Sequence, residues 1–475
     1  MSTQHGFRSC SGRYGMVLAI LLSIGIPGAA QHSEQDIPSA DSLRGPSHLY
    51  DIMRHGELNG RFRMYNMLTV NDGTPSDYHA VAFGGTLGFA SQRWHGVRFR
   101  LSGGYTFDLA TSDLTNPDPV TGVPNRYEIG LYDVTDPRHT NDLYYLQEFQ
   151  LDWTSREART QVVFGKQELN TPFLNPQDGR MHPTLFEGLW ASHDTRSGTA
   201  FKGGWLYRVA PRGASEWYPV EESMSVFPVG RNIYGEGARH GEHLSSAGIF
   251  AASIKQQVHR RVQITVWELL TENVFNSAML RVDLGDNEDA WSASAFAIRQ
   301  DPAHHRGAVN DSLLFMPTNE SSWAFSGRVR NVLGRFRWQV NYTRITAHGR
   351  YLMPREWGRD PFFTFLPRER NEGTGDVHAT TLNLIWRTGS GWRIQLDGGY
   401  YSMPDLTNVR LNKYAMPSYT QFDVNTQYHF KGGWRGLATQ LLVLVKLPVE
   451  EGITEKQAIN KVDMLHADLI INYVF

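Results

Sequence analysis

The sequence predicts an all-β chain that closes into a transmembrane antiparallel β-barrel, most simply of 18 strands, with one loop folded inward as a constriction. Three observations lead there. Apolar and polar residues alternate with period 2, in stretches of about ten residues, along most of the 475 residues. Beyond residue 30, no stretch has the roughly 20 apolar residues that a membrane helix needs. The last stretch sets Leu465, Ala467, Leu469, Ile471, Tyr473 and Phe475 on one parity, and His466, Asp468 and Asn472 on the other. Ending on an aromatic, it looks like the closing strand of a bacterial outer-membrane barrel, the handle that the barrel-assembly machinery takes.

The N-terminus reads as an export signal. Arg8 and Arg13 precede an apolar run over 16–26, and Pro27-Gly-Ala-Ala30 supplies small residues for cleavage. The expected organisation is a signal peptide over 1–30, a short periplasmic segment over 31–56 and the barrel over 57–475. The one cysteine, Cys10, lies in the signal peptide. The exported chain therefore has no disulfides, and a barrel that closes its own hydrogen-bond ladder does without them. A formal net charge of −2 gives no reason to expect nucleic acid.

Four runs show the strand pattern most clearly. Val97, Phe99, Leu101, Tyr105 and Phe107 alternate with Arg98, Arg100, Ser102 and Thr106. Phe336, Trp338, Val340 and Tyr342 alternate with Arg337, Gln339, Asn341 and Thr343. Trp392, Ile394 and Leu396 alternate with Arg393, Gln395 and Asp397, and Phe422, Val424 and Tyr428 alternate with Gln421, Asp423 and Gln427. These runs exceed the ~5–6 residues of ordinary globular strands. Short turns are expected at 91–96, 154–159, 193–198, 255–261, 285–289, 331–335, 387–391 and 431–436. Longer connections alternate with them, except for a tight one at 271–273. An even strand number leaves both termini on the periplasmic side; one slip in assignment gives 16 strands instead of 18.

Several blocks resemble the OprD-type porins, the outer-membrane carboxylate channels. One is Leu49-Tyr-Asp-Ile-Met-Arg-His-Gly-Glu-Leu-Asn-Gly-Arg-Phe-Arg-Met-Tyr65, similar to the family's opening segment and first strand. A second, over 164–188, runs from Phe164-Gly-Lys-Gln through Pro172, Asp178 and Arg180 to Pro183-Thr-Leu-Phe-Glu-Gly188, and resembles the family's constriction loop. A third, over 412–430, carries Gln421, Asp423, Tyr428 and Phe430, and Pro354-Arg-Glu-Trp-Gly-Arg-Asp-Pro361 is similar to a loop of some members. The resemblance implies an 18-stranded barrel of the Gram-negative outer membrane, surrounded by its lipid. It would be narrowed by infolded loops and pass small solutes passively, often carboxylates; monomer and trimer both stay open.

The residues supply such a path independently. Arg61, Arg63, Arg98, Arg100, Arg328, Arg330, Arg337 and Arg393 all fall on the polar parity of strands. A guanidinium grips a carboxylate through two parallel hydrogen bonds and stays charged. The bland reading is that these arginines pair with Asp and Glu to stiffen the wall. Within 168–185, Pro172, Pro176 and Pro183 would fix a loop shape, and Asp178 and Arg180 would set opposite charges at the narrowing. Glu148 and Asp152 could face the basic row. His304-His305 and the pair His240 and His243 lack the spacing of a metal site and read as solvated loop histidines. Glu450-Glu451 reads as surface, and no motif calls for a cofactor. Two rivals stay open: a barrel enzyme of lipase or protease type, and a soluble carbohydrate-binding sandwich.

Overall fold

A computed structural model describes residues 49–139, 143–177, 179–285, 289–303 and 310–475. The expected signal peptide, Asp178, His304 and His305 lie outside the described residues. A short helix, Leu49–Arg54, precedes the wall. The first nine strands are β1 (Glu57–Asn71), β2 (Tyr78–Ala90), β3 (Val97–Thr111), β4 (Leu143–Thr154), β5 (Thr160–Gln167), β6 (Leu185–Asp194), β7 (Thr199–Ala210), β8 (Ile249–His259) and β9 (Val262–Thr271). The rest are β10 (Phe275–Leu284), β11 (Trp291–Pro302), β12 (Ser322–Leu333), β13 (Phe336–Ile345), β14 (Val377–Arg387), β15 (Trp392–Ser402), β16 (Tyr419–His429), β17 (Leu437–Pro448) and β18 (Met464–Val474). Each pairs antiparallel with its chain neighbours, and β1 pairs with β18 from Arg61↔Val474 to Asn71↔Met464. The wall is thus closed at 18 strands. A two-residue strand, Tyr218–Pro219, extends β7 at Arg208 and Val209 without joining the ring.

Connections alternate as the sequence predicts. Short turns at one end of the barrel, here the turn end, face long segments at the other, the loop end. Two connections at the loop end are exceptions: the tight one between β9 and β10, and 72–77 between β1 and β2, which is no longer than the turn 91–96 although the sequence places it among the longer ones.

The two faces of the wall decide between lipid and water. Residues of the apolar parity are exposed: Leu101 is 41% exposed, Val340 43%, Leu396 46% and Phe422 57%. Their polar neighbours Ser102, Asn341, Asp397 and Asp423 are buried. A soluble sandwich does the reverse, and an apolar band around the whole molecule far exceeds the patches that monomeric soluble proteins expose. A barrel in hydrocarbon needs this distribution, because the closed ladder leaves no backbone group for lipid to solvate. Trp153, Trp291, Trp386, Trp392 and Tyr473 are exposed in a ring at the turn end, where amphipathic rings sit between hydrocarbon and water. The carbohydrate-binding sandwich is excluded.

Glycines let the wall bend where chains approach closely. A Cβ on Gly84 in β2 would lie 2.3 Å from the Tyr105 carbonyl oxygen of β3. Register shifts at Val81/Ala82, Ser102/Gly103 and Glu187/Gly188 add local twist.

Purified protein in detergent should migrate faster on a denaturing gel unheated than boiled, with aggregation when detergent is removed. Val340→Arg, on the outward face at mid-strand of β13, should destabilise the barrel by about 2–4 kcal/mol in reversible refolding into vesicles. A neutral result would place that face away from lipid.

Candidate functional site

The inner face carries polar strand residues toward the turn end and an apolar cluster at the loop end. Ile249, Ile298, Ala324, Ile345 and Val377 are wholly buried there. They are covered by Tyr351, Trp357 and Phe362 from segment 346–376. Trp357 stacks on Phe275 at 6.2 Å, and its indole donates to Ser223 Oγ at 2.9 Å. Gln300 of β11 clasps the backbone of Leu352 in both directions, at 2.8 Å each way. Segment 346–376 is therefore fastened inside the barrel, not waving above it.

The described residues of segment 168–184 lie against both the wall and that plug. Asn175 Nδ2 donates to the Arg359 carbonyl at 2.9 Å, Asn175 N to the Trp357 carbonyl at 3.1 Å, and Thr184 Oγ1 to the Glu356 carbonyl at 3.0 Å. From the wall, Arg63 of β1 donates to the carbonyls of Gly179 and Arg180, and Arg61 to that of Met181 at 3.3 Å. Arg180 reaches the Tyr127 carbonyl at 2.6 Å, a path open because residue 130 is glycine. A Cβ there would meet the Arg180 guanidinium at 1.8 Å.

A third segment, 112–139, joins at the seam between first and last strands. Thr69 Oγ1 donates to Glu128 at 2.5 Å and lies 2.8 Å from His466 Nδ1. Arg368 donates to His466 Nε2 at 2.8 Å, to Tyr65 Oη at 2.9 Å, and pairs with Asp468. Glu369 meets Arg126 at 3.0 Å and Lys446 at 3.6 Å. Buried charges are tolerated only when paired and hydrogen-bonded, and these are. The hydroxyl–imidazole–carboxylate chain Thr69–His466–Asp468 invites comparison with a hydrolase triad. Thr69 is wholly buried and already bonded to Glu128, so this chain acts as a latch between loops and wall.

Between the three segments opens a cavity of about 720 Å³. The described residues lining it include Arg126, Arg180, Arg212, Arg355, Arg359, Arg368, Arg370, Lys461 and Glu369, and Arg355 also pairs with Glu372 at 2.7 Å. Tyr127, Phe227, Phe365 and Tyr414 add rings, and the Arg355 guanidinium lies 3.7 Å from the Tyr414 ring centre. Near the turn end lies a second basic group. Arg328 donates to Ser294 at 3.2 Å and covers the Phe363 ring at 4.5 Å, and Arg393 donates to Gln395. Arg387 stands opposite Arg393 in the ladder. Among the described residues, Arg328, Arg337, Arg387 and Arg393 form no ion pair with a carboxylate, and the buried Arg337 Nε has no hydrogen-bond partner.

The eight arginines singled out in the sequence thus divide. Arg61 and Arg63 pin the segment beside them. Arg98 pairs with Glu57 at 2.9 Å, and Arg100 with Asp152 at 3.2 Å and Glu148 at 3.6 Å. Asp152 also holds Arg93 at 2.5 Å, so these carboxylates staple the wall directly. Arg328, Arg330, Arg337 and Arg393 gather near the turn end. Arg180 is buried at the cavity edge. His240 corrects the expectation of a solvated loop histidine: it is buried, with Nε2 3.1 Å from the Met224 carbonyl. Glu450 also differs from a solvated surface residue, since it accepts from the Ser418 backbone at 3.0 Å. The cavity arginines of 346–376 escaped sequence reasoning because a loop has no parity; the one signal was the density of Arg over 355–370.

Two buried loop carboxyls are strongly perturbed. Burial pushes Glu356 up to about 7, although it accepts from the Phe227 N–H at 2.8 Å. Burial likewise pushes Asp360 up to about 6.

This is the architecture of a porin: a closed β-barrel whose lumen is narrowed by its own connections and lined with charge. No protein-family model and no curated protein matches the sequence. The fold matches solved OprD/Occ channels. OccK9 (OpdG) of Pseudomonas aeruginosa has a TM-score of 0.69 at 14% identity, over 89% of this chain and 99% of that one. OccAB4 of Acinetobacter baumannii has a TM-score of 0.65 at 12% identity, over 88% and 98%. OpdK of Pseudomonas aeruginosa, solved with vanillate, has a TM-score of 0.61 at 14% identity, over 89% and 99%. The likeness read from the sequence holds at the level of the fold.

Arg63→Ala should expose the peptide bond after Arg180 and raise its cleavage by trypsin about tenfold. The variant removes buried charge-assisted bonds of roughly 1.5–3 kcal/mol, and cleavage follows the open population. Unchanged cleavage would mean that Arg63 does not pin the segment. The raised Glu356 and Asp360 carboxyls favour the folded loops below the ordinary carboxyl range, with the benefit lost as pH climbs to about 6–7. The heat-modification temperature should accordingly rise from pH 8 to pH 5, and Glu356→Gln should flatten that dependence.

Proposed function

We propose that this chain is a passive channel of the Gram-negative outer membrane for small water-soluble anions, carboxylates foremost. The observation that carries the reading is the excess of cations over carboxylates along the inner face. It is seen in the group Arg328, Arg337, Arg387 and Arg393 near the turn end, which forms no ion pair with a carboxylate among the described residues. A lumen of low-dielectric walls focuses such a field and raises the local anion concentration. Guanidinium forks at spaced positions bind a carboxylate well enough to draw it in and weakly enough to pass it on. Segment 168–184, braced by Arg63 and by 346–376, is the constriction in this reading.

The rings beside the cavity arginines refine the solute. Vanillate, held by OpdK, is an aromatic carboxylate; Tyr127, Phe365 and Tyr414 beside Arg126, Arg355 and Arg359 would suit a solute of that kind. Outside the lumen, the partners are membrane lipid and, at the terminal strand, the barrel-assembly machinery. Phe475 exchanges backbone hydrogen bonds of 3.0 Å with Gly60 of β1 and leaves its ring exposed.

The test is planar-bilayer recording of refolded protein under a salt gradient. Discrete steps with anion-selective reversal potentials are expected, with block by aromatic carboxylates. Arg337→Gln with Arg393→Gln should shift the reversal potential toward cation selectivity more than Arg98→Gln with Arg100→Gln, whose charges are already paired. Steps without anion preference would remove the carboxylate reading, and no steps from folded protein would remove the channel.

A further inference from the structure

The two rims of the outward face differ in kind. On the outward parity, the turn-end halves of the described strands carry no Lys, Arg, Asp or Glu; they carry the aromatic ring described above. Toward the loop end the same parity bears Lys166, Glu187, Arg208, Glu268, Arg299, Asp301 and Arg344. All seven lie on β5–β13. Three of them form a row across adjacent strands, since Lys166 pairs in register with Glu187, and Glu187 with Arg208. Neighbours in such a row have Cβ atoms about 5 Å apart.

The depth of the row is set by what lies beneath it. Phe164, Leu189 and Trp205, two or three residues nearer the turn end on the same strands, are 53%, 47% and 37% exposed. The charges therefore begin where the lipid-facing apolar surface stops, at headgroup level. Lys166 Nζ lies 2.8 Å from Glu187 and 3.7 Å from the Trp217 ring centre, and Tyr207 Oη lies 3.5 Å from Glu187. Arg208 is exposed and forms no ion pair with a carboxylate among the described residues. An aromatic rim suffices for zwitterionic headgroups, whereas fixed guanidinium and ammonium groups at that depth suit an anionic, phosphate-bearing one.

We propose that the row Lys166–Glu187–Arg208, walled by Tyr207 and Trp217, is a docking site for a phosphorylated lipid of the leaflet at the loop end. Arg208 grips the phosphate as a planar fork, and Lys166, held by Glu187 and the indole, offers its ammonium as a further hydrogen-bond donor. Acyl chains lie on Phe164, Leu189 and Trp205 below.

The test is native mass spectrometry of detergent-released full-length protein titrated with bisphosphorylated lipid A, phosphatidylcholine or inorganic phosphate. Discrete lipid A adducts on the single chain are expected, with about tenfold weaker binding in Arg208→Gln and none detectable in Lys166→Gln with Arg208→Gln. Equal binding by wild type and the double variant would overturn the proposal. So would phosphatidylcholine binding as tightly as lipid A, or inorganic phosphate binding alone as tightly as the lipid. Chain oligomers that disappear in the double variant, without lipid adducts, would give the row to a second copy of the protein. If the double variant fails to fold by gel shift, Arg208→Gln decides alone, because its exposed side chain holds no ion pair among the described residues. The readout does not depend on conductance, so it stands or falls apart from the channel reading.

Discussion

The structure depends on one constraint: in hydrocarbon, every backbone N–H and C=O needs a partner within the protein. β1 and β18 supply the last of those partners when they meet, down to the hydrogen bonds between Gly60 and Phe475. Once the ladder is closed, alternation sorts the side chains. Phe62 turns to lipid while Arg63, one residue on, turns inward. The inversion of burial between those parities follows from the closure, not from a packed apolar centre.

Closure also creates an interior that must be furnished. A ring this wide leaves a lumen, and the chain fills part of it with its own connections. At the loop end it does so by hydrophobic packing, Trp357 and Tyr351 against Phe275 and Phe362. Nearer the seam it uses buried charge. Arg368 on Asp468, and Glu369 between Arg126 and Lys446, tie segments more than 200 residues apart in sequence to one stretch of wall. Removing one member would leave the other charged and buried, which costs far more than the pair contributes. Such pairs fix the position of a loop more than they stabilise the barrel.

The arginines of the inner face differ in their pairing. The wall arginines near Asp152 are neutralised on the spot, whereas Arg387 and Arg393 stand opposite each other in the ladder.

The sequence by itself determined the barrel, because alternation is a local property that each strand carries. Val340 against Asn341, or Phe422 against Gln421, specifies two faces with no knowledge of neighbours. The strand count followed from where Gly, Asn and charged clusters interrupt that period. What the sequence could not separate was a free arginine from a paired one. Arg100 and Arg337 have the same parity and the same strand context, yet one meets Asp152 and the other does not. That depends on which strand lies alongside and in what register. The role of 346–376 was equally hidden, since a loop has no period from which to read its direction. Only the tertiary structure decided these points, because ion pairing and loop placement are contacts between residues far apart in the chain, made after the wall has closed.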